Sequence, residues 1–178
     1  DCIFDGEGGA PYFESNLHTA KDIYGLTKFL GEVVEGESLT LRTSIFGHEL
    51  KNKQSIIDWF LNTKEKQIEG YRKAIFSGVS TLEFARILAN FVLPNLEKLK
   101  GLYHVSGNAM NKYDLLSLVA KIYGKQIEIL PVDSPIIDKT LNSDKFKSVT
   151  GYHNPDLNDI INEMYKDFLT SSFKYISK

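Results

Sequence analysis

The feature that most limits what this chain can fold into is an alternation. Short runs rich in β-branched residues are separated by amphipathic segments whose first residues are spaced to cap helices. LTLRTSIF (39–46), GLYHVSG (101–107) and QIEIL (126–130) read as strands, and residues 1–4 as the end of another. A helix is expected from about Lys21 to Glu35, with Ile23, Leu26, Leu30, Val33 and Val34 forming an apolar stripe that packs on a sheet. Ser55 and Asp58 stand three apart at the start of a second helix. Ser80 and Glu83 do the same for a third, which Pro94 stops. Asn111 caps YDLLSLVAKIY, and Gly124 ends it. Short helices near 143–149 and 156–168 follow, with Asn142 favoured as a cap for the first, and TSSFKYISK reads as a frayed tail. Strand–helix alternation of this kind is α/β architecture. The strands are too few for a complete doubly wound sheet, so a partial sheet with a small lobe is expected over residues 1–170, and a tail over 171–178.

Composition narrows the function classes. A chain of 178 residues supports one well-cored domain, and 42% hydrophobic with 25% charged residues is globular chemistry. The net charge of -2 implies no nucleic-acid face, and the only arginines are Arg42, Arg72 and Arg86, too few for a phosphate-backbone reader. Cys2 is the one cysteine, so no internal disulfide can form; this favours a reducing compartment such as the cytoplasm. No apolar run approaches the roughly 20 residues that cross a bilayer, and no membrane partner is expected. The histidines (His18, His48, His104, His153) are scattered without metal-ligand spacing, so no metal site is expected. Asp1 rather than methionine stands first, and the chain is expected to be the C-terminal piece of something longer.

The stretch KDIYGLTKFLGEVV carries the chemistry. Tyr24 and Lys28 are four residues apart, which stacks them on one face of a helix. An ammonium within roughly 4–6 Å of a phenol favours the phenolate and makes the phenol a better proton donor at neutral pH. Such a phenol can protonate an alkoxide forming on a carbonyl substrate, or take the proton back in the oxidative direction. A bland reading competes: tyrosine and lysine are both abundant here, and Lys28 can instead pair with Glu32 one turn on, leaving Tyr24 as packing.

The surroundings decide between them. The run D-C-I-F-D-G, then G-x-P-Y-x-E, Y-G-L-T-K-F-L-G-E, L-R-T-S-I-F-G and the later L-N-S-D-K-F together resemble the extended short-chain dehydrogenase/reductases, most of all the dTDP-4-dehydrorhamnose reductase branch. The resemblance covers nearly the whole chain. It implies a partial Rossmann-type sheet plus a small α/β substrate-binding lobe, with the N-terminal nucleotide-binding half missing. It implies Tyr24 as general acid, and Lys28 as its activator and ribose contact. Asp1 would line the sugar pocket, and the Arg42-Thr43-Ser44 segment would face nicotinamide and sugar, with Thr43 on the cofactor and Arg42 and Ser44 on the substrate. An ordinary salt bridge is an equal reading for Arg42. The cofactor implied is NADPH or NADH, the substrate a nucleotide sugar bound for a surface polysaccharide, and a homodimer is compatible with the family. Cys2 and Ile45 stand where the family commonly has aromatic residues, which loosens the choice of sugar.

A dinucleotide needs glycines that open a helix after a strand. The only glycine cluster, GEGGAP (6–11), is followed by proline and reads as a flexible loop over the site. The isolated chain is therefore expected to be inactive. Two rivals remain open: a nucleotide-sugar epimerase or dehydratase of the same superfamily, and a non-catalytic subunit that kept the fold.

Overall fold

The computed structural model describes residues 1–51 and 53–171. In chain order its elements are α1 (Ile23–Leu30), β1 (Leu39–Arg42), β2 (Ile45–Phe46), α2 (Ile56–Asn62), β3 (Gln67–Tyr71), β4 (Ala74–Phe76), β5 (Val79–Ser80), α3 (Thr81–Ile87), β6 (Gly101–His104), β7 (Met110–Asn111), α4 (Lys112–Tyr123), β8 (Glu128–Val132), β9 (Ile137–Lys139), α5 (Asp144–Thr150) and α6 (Leu157–Thr170). The strands pair β1 with β6, β2 with β5, and β3 with β8, all parallel; β4 lies between β7 (antiparallel) and β9 (parallel). This is a mixed α/β fold in which distant strands meet side by side, as helical crossovers require.

Helix starts follow the expected local chemistry. The side chains of Ser55, Ser80 and Asn111 accept from the amides of Asp58, Glu83 and Asp114 at 3.1, 3.1 and 2.8 Å. Each satisfies a donor the helix leaves orphaned. Asn142 accepts from the Asp144 amide at 2.9 Å and so caps α5 from one residue before Ser143. Gly124 closes α4 at φ 70°, a conformation glycine adopts without a Cβ penalty.

Several expectations are corrected. Residues 1–4 form a turn, not a strand, because the Ile3 carbonyl is taken by the amides of Thr19 and Ala20. LTLRTSIF breaks into β1 and β2 at Thr43-Ser44, since the two halves pair with different partners. α1 stops at Leu30, well short of Glu35. Thr40 captures both the amide and the carbonyl of Val33, at 3.3 and 2.7 Å, and draws the chain out of the helix. Pro94 is not what stops α3: the α-helix ends at Ile87 and runs into one π turn (Leu88–Val92) and one 3₁₀ turn (Leu93–Asn95) that contains Pro94. The tail expected over 171–178 lies outside the described residues from position 172 onward.

The largest buried cluster joins α2, α4 and α6 through Ile57, Phe60, Leu115, Val119 and Ile161. Full burial of such side chains stabilises by about 1.5–3 kcal/mol each. A second cluster, with Val79, Ile87, Val105 and Phe146, supports β1 and β6. A third and smaller one, Ile3, Phe4, Tyr12 and Leu141, lies under the loop that precedes α1. Among the described residues no helix is long and apolar enough to cross a membrane.

Candidate active site

α1 holds Tyr24 and Lys28. Asp22 caps it, accepting from the Gly25 amide at 2.8 Å. Only Gly25 of the helix is buried. A Cβ built there would collide with the Ala20 side chain and stand 2.6 Å from the Cys2 carbonyl oxygen, so glycine is what lets the helix approach the 1–20 segment. The apolar stripe expected to pack on a sheet instead faces outward: Ile23 is 81% and Leu30 78% exposed. The helix is seated through Gly25 and through Phe29, whose ring lies 4.0 Å from that of His18.

Tyr24 is 63% exposed and the Lys28 ammonium lies 5.5 Å from its ring centroid, in cation–π range. The competing Lys28–Glu32 pair does not form, because Glu32 is taken. Its carboxylate holds Arg42 through two parallel bonds, Nε to Oε1 at 2.7 Å and Nη2 to Oε2 at 2.8 Å, with both side chains nearly buried. Lys28 has no carboxylate within 4.0 Å among the described residues.

Arg42 is set by register. β1 and β6 align Arg42 with His104, and Arg42 Nη1 lies 3.3 Å from His104 Nε2. His104 is fully buried, and its Nδ1 lies 3.1 Å from the Tyr12 carbonyl oxygen. A carbonyl only accepts, so Nδ1 carries the proton and Nε2 accepts from Arg42. Burial above all, with Arg42 adding to it and Glu14 opposing, lowers the His104 pKa to about 4, which keeps the ring neutral. The guanidinium expected at the sugar is thus turned inward and spent on Glu32 and His104. Neither Glu32 nor His104 stands out in the sequence as a partner, since the triad is made by strand pairing and a helix end.

Two cavities meet at Asp1. One, of about 240 Å³, is lined by Asp1, Lys28, Glu32, Arg42 and Thr43 among others. The other, of about 490 Å³, is lined by Asp1, Ser44, Tyr71, Phe76, Lys112 and Lys139 among others. The break at Thr43-Ser44, beyond the carboxyl end of β1, therefore sends its two residues to different sides; the backbone nitrogen of Asp1 donates to the Thr43 carbonyl at 3.1 Å and holds the junction. Tyr24 lines neither cavity. Tyr71 and Lys139, at the ends of strands too short to recognise by periodicity, and Lys112, at the first turn of α4, are additions that the sequence did not signal.

The glycine loop is tied down at Gly6 and Gly8. The Gly6 carbonyl accepts from the Asp138 amide at 2.9 Å, and Tyr12 Oη donates to the Gly8 carbonyl. A Cβ on Gly6 would stand 2.5 Å from Ile137, so the loop lies flat across β9. No metal-ligating cluster occurs among the described residues.

The parallel strand pairs and the helices that connect them match the Rossmann-like fold of solved reductases and epimerases. A dTDP-4-dehydrorhamnose reductase from Bacillus anthracis, solved in complex with NADP, superposes with a TM-score of 0.75 at 16% identity, covering 93% of this chain and 62% of that one. A UDP-glucuronic acid 4-epimerase from Bacillus cereus, in complex with NAD, gives 0.70 at 18% identity, covering 99% and 60%. The profile of the RmlD substrate binding domain matches residues 1–165, and the chain belongs to that family. It is also 28% identical over 138 residues to the spore coat polysaccharide biosynthesis protein SpsK of Bacillus subtilis, which covers 74% of this chain. The chain spans 47% of that relative's length.

Proposed function

We propose that this chain is the substrate-binding portion of an NAD(P)H-dependent reductase that acts on a 4-keto nucleotide sugar, in the supply of deoxysugars for a surface polysaccharide. The observation that carries the reading is the junction at Asp1, where one cavity holds Lys28 and Thr43 and the other holds Ser44. The first suits the nicotinamide end of a cofactor: a free ammonium and a threonine hydroxyl are ribose and amide partners, and the Glu32 carboxylate beside them is already neutralised by Arg42. A nicotinamide bound there supplies the hydride that a carbonyl carbon accepts. Tyr24 gives its phenolic proton to the carbonyl oxygen as the alcohol forms, and the Lys28 ammonium, 5.5 Å from the ring centroid, is the charge that faces the phenolate left behind. Asp1 and Ser44 orient the sugar. Arg42 serves as a positioning residue, fixing the end of α1 to β1 through Glu32.

The full-length protein, given deuterated NADPH and a 4-keto nucleotide sugar, tests this. The expected result is one nicotinamide oxidised per sugar, with deuterium on the sugar's C4. Sugar conversion without net nicotinamide oxidation assigns epimerase chemistry and overturns the reading.

A further inference from the structure

One wall of the 490 Å³ cavity is tied to the helix that carries Tyr24 through a buried histidine. That wall is Pro135, Ile137 and Lys139, and the chain runs on from it through Thr140, Leu141 and Asn142. Tyr12 lies beside Leu141 in a parallel bridge: its amide donates to the Thr140 carbonyl at 2.8 Å, and its carbonyl accepts from the Asn142 amide at 2.7 Å. Ser77 and Ser106, both buried, also hold Leu141, the first accepting from its amide at 2.9 Å and the second donating to its carbonyl at 3.0 Å. The Tyr12 carbonyl takes a second donor, His104 Nδ1, and His104 Nε2 accepts from Arg42, whose guanidinium clasps Glu32 just past the end of α1. Neither neighbour needs the histidine to be satisfied. The Tyr12 carbonyl already has Asn142, and Arg42 already has both oxygens of Glu32. An apolar side chain of the same volume would fill the space. A neutral imidazole with both nitrogens engaged does more, because it joins two elements that are otherwise held separately.

We propose that His104 is a positioning residue for the proton transfer: by donating to Tyr12 and accepting from Arg42, it fixes the 135–142 wall of the sugar cavity relative to α1, and so sets where a bound carbonyl oxygen stands relative to the Tyr24 phenol. The assignment rests on the reductase reading above and deepens it. His104 lines neither cavity, so it acts through Tyr12 on one side and through Arg42 and Glu32 on the other. Alignment of this kind is worth much in rate and little in affinity, since a displacement of about 1 Å costs about 10²-fold in the chemical step.

The full-length protein, given NADPH and a 4-keto nucleotide sugar, tests this. His104→Asn places its amide near the Nδ1 position, keeping Tyr12 and releasing Arg42. His104→Gln reaches the Nε2 position, keeping Arg42 and releasing Tyr12. Each is expected to lower the single-turnover rate by about 10–10²-fold, with dissociation constants for NADPH and for the nucleotide sugar within twofold of wild type. The solvent deuterium isotope effect on that rate is expected to rise, because proton transfer is then the misaligned step. A side chain that only stabilises the fold lowers the melting temperature and moves neither the rate nor the isotope effect below the transition. Arg42→Lys holds Glu32 with a single head group and lets go of His104, so it is held to the same outcome where a His104 variant does not fold. A rate within twofold of wild type in either folded His104 variant overturns the positioning role and leaves the reductase reading standing. Sugar affinity weakened in step with the rate assigns His104 to the shape of the pocket and overturns it too. If the wild type itself oxidises no NADPH with a 4-keto nucleotide sugar, both fall.

Discussion

Replacing Glu32 by glutamine is a sensitive probe of how the site is held in place. Arg42 and Glu32 meet through two bonds at 2.7 and 2.8 Å, with side chains only 8% and 11% exposed. Breaking such a buried pair by neutralising one partner costs about 3–5 kcal/mol, mostly because the other charge is stranded away from water. Glutamine keeps one acceptor oxygen, and Arg42 keeps His104 Nε2 and a cation–π contact 5.8 Å from the Phe4 centroid. The loss is therefore placed at the lower end, about 3 kcal/mol. With an urea m-value of about 2 kcal/mol/M, the unfolding midpoint falls by roughly 1.5 M. The double variant Glu32→Leu with Arg42→Met is expected to recover part of this, since no charge is then stranded. Recovery stays incomplete because His104 Nε2 loses its donor, which costs about 1–3 kcal/mol. Urea titration followed by far-UV circular dichroism reads both. A Glu32→Gln midpoint equal to wild type would show that the pair is solvated and does not anchor α1.

Other perturbations give further checks. Gly25→Ala is expected to destabilise by about 1–3 kcal/mol, because a methyl group 2.6 Å from the Cys2 carbonyl must push α1 off its seat; a thermal melt unchanged from wild type contradicts that approach. His104 has its pKa lowered by burial from 6.5 to about 4, so the unfolded chain binds the proton first. Its stabilisation is complete above pH 6.5 and is lost as pH falls toward 4, a loss on the order of 3 kcal/mol. Urea titrations at pH 7, 5.5 and 4.5 measure the slope, which His104→Gln is expected to flatten. His48 bridges Asp58 Oδ1 at 2.7 Å and Tyr123 Oη at 2.9 Å and stacks on Phe168. His48→Ala strands both partners and is expected to cost about 2–4 kcal/mol by urea denaturation; a loss below 0.5 kcal/mol refutes the bridge.

Much of the fold was legible because its signals are local. Ser55, Ser80 and Asn111 cap helices through atoms three residues away, and Gly124 closes one by its own backbone. The strands β3, β4 and β9 were not legible. They are three to five residues long, and β3 finds its partner β8 some sixty residues on, so no window of sequence contains the pairing. α1 was read too long for the same reason: its end is decided by Thr40 and Arg42 on the next strand, while Val33 and Val34 continue the apolar pattern. At the site, the Tyr24–Lys28 spacing was readable from helical geometry. The fate of Arg42 was not, because one charged strand residue looks alike whether it faces a ligand or a buried Glu32. The division of Thr43 and Ser44 between two cavities depends on where Asp1 is tied, which only the assembled loop reveals.

The central claim is that the Tyr24 phenol delivers the proton during carbonyl reduction. Tyr24→Phe in the full-length protein removes one oxygen from a side chain that is 63% exposed, so folding is not at stake. Single-turnover rates with NADPH and a 4-keto nucleotide sugar are expected to fall by about 10²–10⁴, the usual worth of a positioned general acid, with nucleotide affinity unchanged. A Tyr24→Phe rate within threefold of wild type would contradict the account.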